Sequence, residues 1–303
     1  MSLIRTRIAP TPSGRLHPGN AVSFIMTWAL ARTTGGHILL RIDDLDKARR
    51  RVDYLDDIFT NLEWLGIDYD EGPAGVDDFL RHWSQHTRLE RYQAALDQLQ
   101  QAGHLFACQC SRRQIQERSP KGVYRGHCRE LQLDFFAPKT AWRVLVPNHT
   151  EIRLRDWRWG SRSLNLSGYL GDFVVRQKNG LPAYQIASLV DDEDFGINFV
   201  VRGEDLLSST AAQLYLAQLL GKSTFPRSIF WHHALWKDHL GEKLSKSKGA
   251  GSLAEWREQG QSIGPLFQQA AHWLEIRKTV TTPAALLDAL ASRGVERIQP
   301  PPQ

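Results

Sequence analysis

The sequence predicts an α/β protein: a parallel sheet with flanking helices, interrupted by a small α+β module and followed by a short helical extension. Three observations carry this reading. A short apolar strand candidate, Leu3 to Ile8, passes through a Pro/Gly-rich loop into a helix candidate from Ala21 to Arg32. Two further apolar runs, His37 to Ile42 and Asn198 to Arg202, end in acidic residues, where open parallel sheets present ligand-binding groups. From His104 to about Tyr169 the character changes, and alternation replaces helical period in Ala141 to Val146 and in Glu151 to Asp156.

The opening loop reads Ile8-Ala-Pro-Thr-Pro-Ser-Gly-Arg-Leu-His-Pro-Gly-Asn20. Pro10, Pro12 and Pro18 fix φ and hold off helix until the loop ends. Gly14 and Gly19 admit left-handed turns and close approach of a ligand to the backbone. Strand, tight loop and helix together aim a helix N-terminus at a phosphate. His17 adds a donor at the same place. A plain βα turn has the same composition, so the loop alone assigns nothing.

Downstream, Gly35-Gly36 caps the first helix and His37 to Ile42 forms a buried strand ending in Asp43-Asp44-Leu45-Asp46. Val52, Leu55, Phe59, Leu62 and Leu65 recur at helical spacing, and Gly66 ends the run. Residues 67–75 read as loop, and a helix is expected from Trp83 to Ala102. Within the inserted module, Ala141 to Val146 and Glu151 to Asp156 alternate as strands. Gly171 to Gly180 returns to strand, with Asn179-Gly180 as a hairpin turn. Pro182 to Val190 reads as strand into helix or as one long strand. Ser209 or Thr210 is expected to cap a helix running to Leu220, and Ser228 to Ala234 is a last strand. Helical stretches follow at Leu253 to Trp256, Pro265 to Ile276 and Pro283 to Leu290, and the Pro-rich end frays. The expected organisation is 1–103 and 170–240 as two halves of a catalytic domain, 104–169 as the insertion, and 241–303 as a loop with its helical extension.

The 303 residues carry 38 Lys+Arg against 33 Asp+Glu, a net charge of +5. That balance permits a polyanionic partner. Arg5 and Arg7 interrupt the only early apolar run, so no secretory leader is read. The apolar stretch from Ala21 to Leu30 is too short to span a bilayer, and a cytoplasmic protein without membrane partners is expected. The three cysteines, Cys108, Cys110 and Cys128, are odd in number and tightly clustered, which favours a reducing compartment and a local metal site over a disulfide framework.

Two constellations carry chemistry. Lys243-Leu-Ser-Lys-Ser-Lys248 follows Gly241 and gathers ammonium and hydroxyl donors suited to triphosphate oxygens. Cys108-Gln-Cys110 followed by Tyr124-Arg-Gly-His-Cys128 offers three thiolates and a phenolate for one tetrahedral Zn²⁺, with His127 as a rival fourth donor.

Arg7-Ile-Ala-Pro-Thr-Pro-Ser-Gly with Leu16-His-Pro-Gly-Asn20 resembles the "HIGH" region of class I aminoacyl-tRNA synthetases in its glutamyl form. Lys243 to Ser247 resembles the second class I motif, KMSKS, with Leu for Met. Arg41-Ile-Asp-Asp-Leu-Asp46 and Arg202-Gly-Glu-Asp-Leu-Leu-Ser-Ser-Thr210 resemble the RIEDTD and RGEDHL-type segments of the same branch. The resemblance implies a Rossmann-type nucleotide-binding domain with an inserted zinc-bearing α+β module. The cysteine pattern is similar to that of the short glutamyl-queuosine tRNA(Asp) synthetases. Only 55 residues follow Lys248, too few for the anticodon-binding region of full glutamyl-tRNA synthetases.

The implied reaction is attack of L-glutamate on the α-phosphorus of ATP, accompanied by Mg²⁺, then transfer of the glutamyl group to queuosine in tRNA(Asp). His17, Asn20, Lys243 and Lys246 are the implied catalytic residues; His17, Gly19, Asn20 and Lys246 bind ATP. Arg7, Ala9, Thr11, Asp43, Tyr184 and Arg202 are the implied glutamate contacts, and one structural zinc is held by Cys108, Cys110, Tyr124 and Cys128. A monomer is expected. Two departures stand out. Asp43 replaces the usual Glu, and the stretch between Cys110 and Tyr124 is about two residues longer than the pattern of these short paralogues. The alternatives are a truncated glutamyl-tRNA synthetase and a tRNA-binding paralogue without catalysis.

Overall fold

The computed structural model describes residues 3–119, 122–236 and 251–293. The lysine segment 243–248 and the Pro-rich end lie outside the described residues. In chain order the first elements are β1 (Arg5–Ile8), α1 (Pro18–Thr33), β2 (His37–Leu40), α2 (Val52–Leu65), the short α3 (Val76–Asp78) and α4 (Leu89–Gln101). Next come β3 (Leu105–Cys108), α5 (Arg112–Arg118), β4 (Ala141–Val144), β5 (Glu151–Asp156), β6 (Gly160–Asn165), α6 (Leu166–Tyr169) and β7 (Val174–Arg176). The chain continues with α7 (Tyr184–Asp194), β8 (Phe199–Gly203), α8 (Leu207–Leu219), β9 (Ile229–His233), α9 (Leu253–Glu258), α10 (Gly264–Trp273) and α11 (Pro283–Ala291). Two units emerge: Met1–Thr87 with Ile197–Asp205 and Ile229–Gln303, and Arg88–Gly196 with Leu206–Ser228.

In the first unit β1 and β2 pair in parallel, Arg5 opposite His37 and Ile8 opposite Leu40. β8 and β9 pair in parallel from Phe199 opposite Ile229 to Gly203 opposite His233. Asn198 donates its backbone N–H to Arg5 O at 3.0 Å, and Arg7 Nη1 reaches Val201 O at 3.5 Å. These contacts set β8 alongside β1 in the same direction. α1 is buried on nearly every face, with Ala21, Val22, Ile25, Met26, Ala29 and Leu30 at 0–1% exposure. That explains its apolar run: the helix lies against β1, β2 and β8 on one side and α10 and α11 on the other.

α1 begins at Pro18, three residues earlier than the prolines suggested, because a proline at the first helical position loses no hydrogen bond and supplies a helical φ. Neither Gly14 nor Gly19 takes a positive φ. Gly19 answers a steric demand, since a Cβ there would lie 3.0 Å from the His17 ring. Gly66 ends α2 at φ 66°, as its position implied. Gly35 likewise follows the end of α1 at φ 66°.

In the second unit β3, β4 and β7 form an antiparallel sheet, and β5 and β6 form a hairpin from Glu151 opposite Asn165 to Asp156 opposite Gly160. The helix expected from Trp83 starts at Leu89, preceded by a π turn (Phe79–Trp83) and a 3₁₀ turn (Gln85–Arg88). Buried Asp44 draws Ser84 Oγ and the Gln85 N–H to its carboxylate and breaks the continuous helix there. Pro182 to Val190 resolves into helix from Tyr184, and α7 is fixed to α4 where Tyr92 Oη and Arg88 Nε bond buried Asp191 at 2.8 and 2.7 Å. Ser209 and Thr210 do not cap α8; the helix starts at Leu207 without a side-chain cap, and both residues are buried within it. Among the described residues no helix is long and apolar enough to cross a membrane.

Arg32, in the last turn of α1, bonds Asp68 Oδ2 at 2.9 Å and Asp70 Oδ2 at 2.8 Å, while Asp70 also accepts the Ile38 N–H at 2.7 Å. Burial alone would raise both carboxyl groups, but the Arg32 guanidinium holds them below the ordinary range. Such depressed groups contribute stability above their unfolded pKa, about 3.9, and lose it as pH falls through the folded value. Arg32→Ala is therefore expected to lower unfolding free energy by about 1 kcal/mol at neutral pH. The difference from the parent should shrink as the pH falls below about 4, as read by urea unfolding across that range.

Candidate active site and metal centre

The parallel strands place their C-terminal ends at one edge, and α1 returns the chain from β1 to β2, so its N-terminus faces that edge. His17 is the N-cap of α1, with φ −116° and ψ 164°. Its Nδ1 accepts the Gly19 N–H at 3.1 Å, and Asn20 Oδ1 accepts the His17 N–H at 3.0 Å. This reciprocal pair satisfies a donor at the helix end and fixes the His17 ring against it. Because Nδ1 accepts, the proton of the neutral ring sits on Nε2. His17, Gly19 and Asn20 are thus brought together at the start of α1.

Arg7 and Arg202 sit on the neighbouring strands β1 and β8, 4% and 3% exposed. Arg202 lies over the Phe230 ring with its guanidinium carbon 5.4 Å from the centroid. Two buried guanidinium groups at one sheet edge suit a carboxylate or phosphate. Beyond the strands, Arg41 N–H bonds Ile8 O and Asp43 N–H bonds Pro10 O, both at 2.9 Å. Asp43 is thereby held beside the Ala9–Thr11 segment, in which Ala9 is half-buried and Thr11 exposed. Its carboxylate takes a fork from Arg41 (Nε at 2.7 Å, Nη2 at 3.1 Å) and the Gln85 amide at 3.4 Å.

The structure separates the acidic cluster by duty. Asp44 is scaffold: its carboxylate accepts from Arg50 Nη1 at 2.7 Å as well as from Ser84 and Gln85, and it is 1% exposed. Asp57 was outside the sequence reading; only its burial inside the apolar stripe of α2 could have marked it. Tyr184 lies in the second unit, half-exposed in the first turn of α7. Lys243 and Lys246 fall outside the described residues.

In the second unit, the sulfurs of Cys108, Cys110 and Cys128 all lie within 4.8 Å of one another. Three sulfurs on a tetrahedral Zn²⁺ with Zn–S near 2.3 Å would sit about 3.8 Å apart, so the cluster has the right dimensions. The cysteines are free, and the Cys110–Cys128 separation of 3.3 Å is no disulfide. Tyr124 Oη lies 3.7 Å from Cys108 Sγ and 4.0 Å from Cys110 Sγ and accepts the Cys128 N–H at 2.9 Å. His127 Nε2 lies 3.4 Å from Cys110 Sγ, and His127 is exposed. A buried oxygen near two sulfurs fits the fourth position better than an exposed ring near one.

The electrostatics of this corner suit a cation. Burial raises Cys108, but the hydrogen bond and charge of Arg143 outweigh it and hold the thiol below its ordinary range. Cys110 is pushed up to about 12 by burial and by the Cys128 and Cys108 sulfurs. Burial raises Tyr124 too, with bonds to Cys128 and Cys108 adding to it. Three adjacent anions therefore do not form unaided, and a divalent ion bound there would supply the charge that allows them. One equivalent of zinc per chain is expected by elemental analysis. Cys128→Ala should lose it, Tyr124→Phe should weaken its retention against a chelator, and His127→Gln should leave it unchanged.

Comparison with known proteins follows the same lines. The family described as "tRNA synthetases class I (E and Q), catalytic domain" matches residues 3–272. A protein named glutamyl-Q tRNA(Asp) synthetase from Burkholderia cenocepacia (strain HI2424) is 39% identical over 301 residues, covering 96% of this chain and 95% of its own. A glutamate–tRNA ligase from Symbiobacterium thermophilum is 36% identical over 270 residues, covering 85% of this chain but only 55% of its own. Among solved structures, a glutamate–tRNA synthetase from Elizabethkingia anophelis superposes with a TM-score of 0.78 at 24% identity, over 94% of this chain and 65% of that one, and shares the fold. The capped helix, the arginine-bearing sheet edge and these matches agree: the chain belongs to the class I aminoacyl-tRNA synthetases, in the glutamyl and glutaminyl catalytic-domain family, a family of ligases.

Proposed function

We propose that this protein activates L-glutamate with ATP and transfers the glutamyl group to queuosine in tRNA(Asp). The observation that carries the acceptor is the end-to-end match with relatives of that named activity, beside the partial-length match with glutamate–tRNA ligases. The geometry of the sheet edge supports the first step. A glutamate carboxylate oxygen attacks the α-phosphorus of ATP; the bond to the bridging oxygen breaks and pyrophosphate leaves. The second step is attack of a queuosine hydroxyl on the activated carbonyl carbon, with AMP leaving and the hydroxyl proton passing to solvent. No protein nucleophile is needed, so catalysis rests on positioning and on charge stabilisation.

Within that scheme His17, protonated on Nε2, and the start of α1 meet the α-phosphate region, with Gly19 giving the ring room to fold back. Arg7 and Arg202 hold a substrate carboxylate, and the Ala9–Thr11 backbone lies beside it. Asp43, held beside the Ala9–Thr11 backbone by its N–H to Pro10 O, meets the substrate ammonium. Mg²⁺ enters with the nucleotide substrate. Lys243 and Lys246 neutralise the departing pyrophosphate. A zinc ion at the cysteine corner organises the inserted module and takes no part in a bond-making step.

Purified protein should support glutamate-dependent ATP–pyrophosphate exchange and attach labelled glutamate to queuosine-containing tRNA(Asp), with none on tRNA(Glu). Charging of a tRNA(Glu) 3′ end would instead assign a glutamyl-tRNA synthetase, and absence of exchange would leave a binding protein. Lys246→Ala is expected to cut the exchange kcat about 10²-fold, close to 3 kcal/mol of transition-state stabilisation. Asp43→Asn should raise KM for glutamate on the order of tenfold, a little over 1 kcal/mol, with a smaller effect on KM for ATP.

A further inference from the structure

Leu16 immediately precedes His17 and contributes no side-chain chemistry, yet its backbone is held from two distant parts of the first unit. Its N–H points to Asp57 Oδ2 in α2 at 3.5 Å. Its carbonyl accepts the Leu253 N–H at 2.9 Å, at the first residue of α9. Asp57 Oδ1 in turn accepts from Arg257 Nη2 at 2.8 Å, one turn further along α9. The Asp57 side chain is 4% exposed and the Arg257 side chain 22%. The start of α9 is itself well defined: Ser252 caps it, with the Glu255 N–H to Ser252 Oγ at 3.2 Å and the Ser252 N–H to Glu255 Oε2 at 2.9 Å.

We infer that Asp57 and Arg257 are positioning residues that fasten the His17 loop to α2 and the start of α9. The inference rests on the proposed activation of glutamate by ATP. This anchor fixes Leu16, and hence the N-cap ring that follows it, so α2 and the start of α9 hold the loop before α1 through one buried carboxylate. A pair that merely joined α2 to α9 would need only the ion pair; here the second carboxylate oxygen faces the loop backbone, and α9 holds the other side of the same peptide segment.

The test compares Asp57→Asn, Arg257→Met and Arg257→Lys with Asn61→Ala. Asn61 is buried one turn along α2 and bonds only locally, to Asp57 O at 2.7 Å, so it reports plain destabilisation. In glutamate-dependent pyrophosphate exchange, kcat per active site should fall between about ten- and a hundredfold in Asp57→Asn and Arg257→Met, as for a small misplacement of reacting groups. KM for glutamate should change little, and Arg257→Lys should recover part of the rate. Amide hydrogen exchange should quicken together at residues 16–20 and 252–257 in Asp57→Asn. Unchanged kcat per active site, an equal loss in Asn61→Ala at the same Tm, or independent exchange of the two segments would each overturn the inference. A wild-type protein without pyrophosphate exchange would overturn the proposed activity, while the amide-exchange arm would still decide whether the two segments are coupled.

Discussion

The first N–H groups of a helix have no partner within the helix, and at α1 that demand shapes the loop before it. α1 meets it with one reciprocal pair, the His17 ring to the Gly19 N–H and the Asn20 amide to the His17 N–H. The cap sets the imidazole tautomer, puts the ring beside the helix start and leaves no room for a Cβ at Gly19. His17, Gly19 and Asn20 therefore form one local unit. The loop behind them is held in turn by α2 and α9, so the cap is not an isolated turn.

The charged residues at the sheet edge differ in the partners that hold them. Asp44 is surrounded by Arg50, Ser84, Gln85 and His86, whose bonds fold the 79–88 segment against it. Asp43, one residue earlier, takes the Arg41 fork and the Gln85 amide. Arg7 and Arg202 are buried on the neighbouring strands β1 and β8, Arg7 Nη1 reaching Val201 O and Arg202 lying over the Phe230 ring.

The thiols and phenol of the cysteine corner are packed with Phe106 in a small core of their own, where burial opposes ionisation. Arg143, over the Tyr124 ring at 4.0 Å, is the one described cation that works against this at Cys108. A metal ion would complete the balance and tie the ends of β3 and the 124–128 turn into one rigid piece.

The local grammar of the chain was largely legible. The β1–loop–α1 opening, the stop of α2 at Gly66, the strand Glu151–Asp156, the Asn179-Gly180 turn and the clustering of three cysteines all follow from periodicity, turn chemistry and spacing, because each depends on neighbours in sequence. Errors arose where a distant partner overrode a local preference. Asp44 broke the helix expected from Trp83, and α8 began before the hydroxyls that were expected to cap it because Ser209 and Thr210 are buried in its interior. Tertiary structure alone decided which acid of the Asp43–Asp46 cluster serves the scaffold, and that Asp57 and Arg257 meet at the loop before His17. Those contacts join residues 41 and 200 positions apart, and no period or motif in a single sequence records a hydrogen bond across such distances.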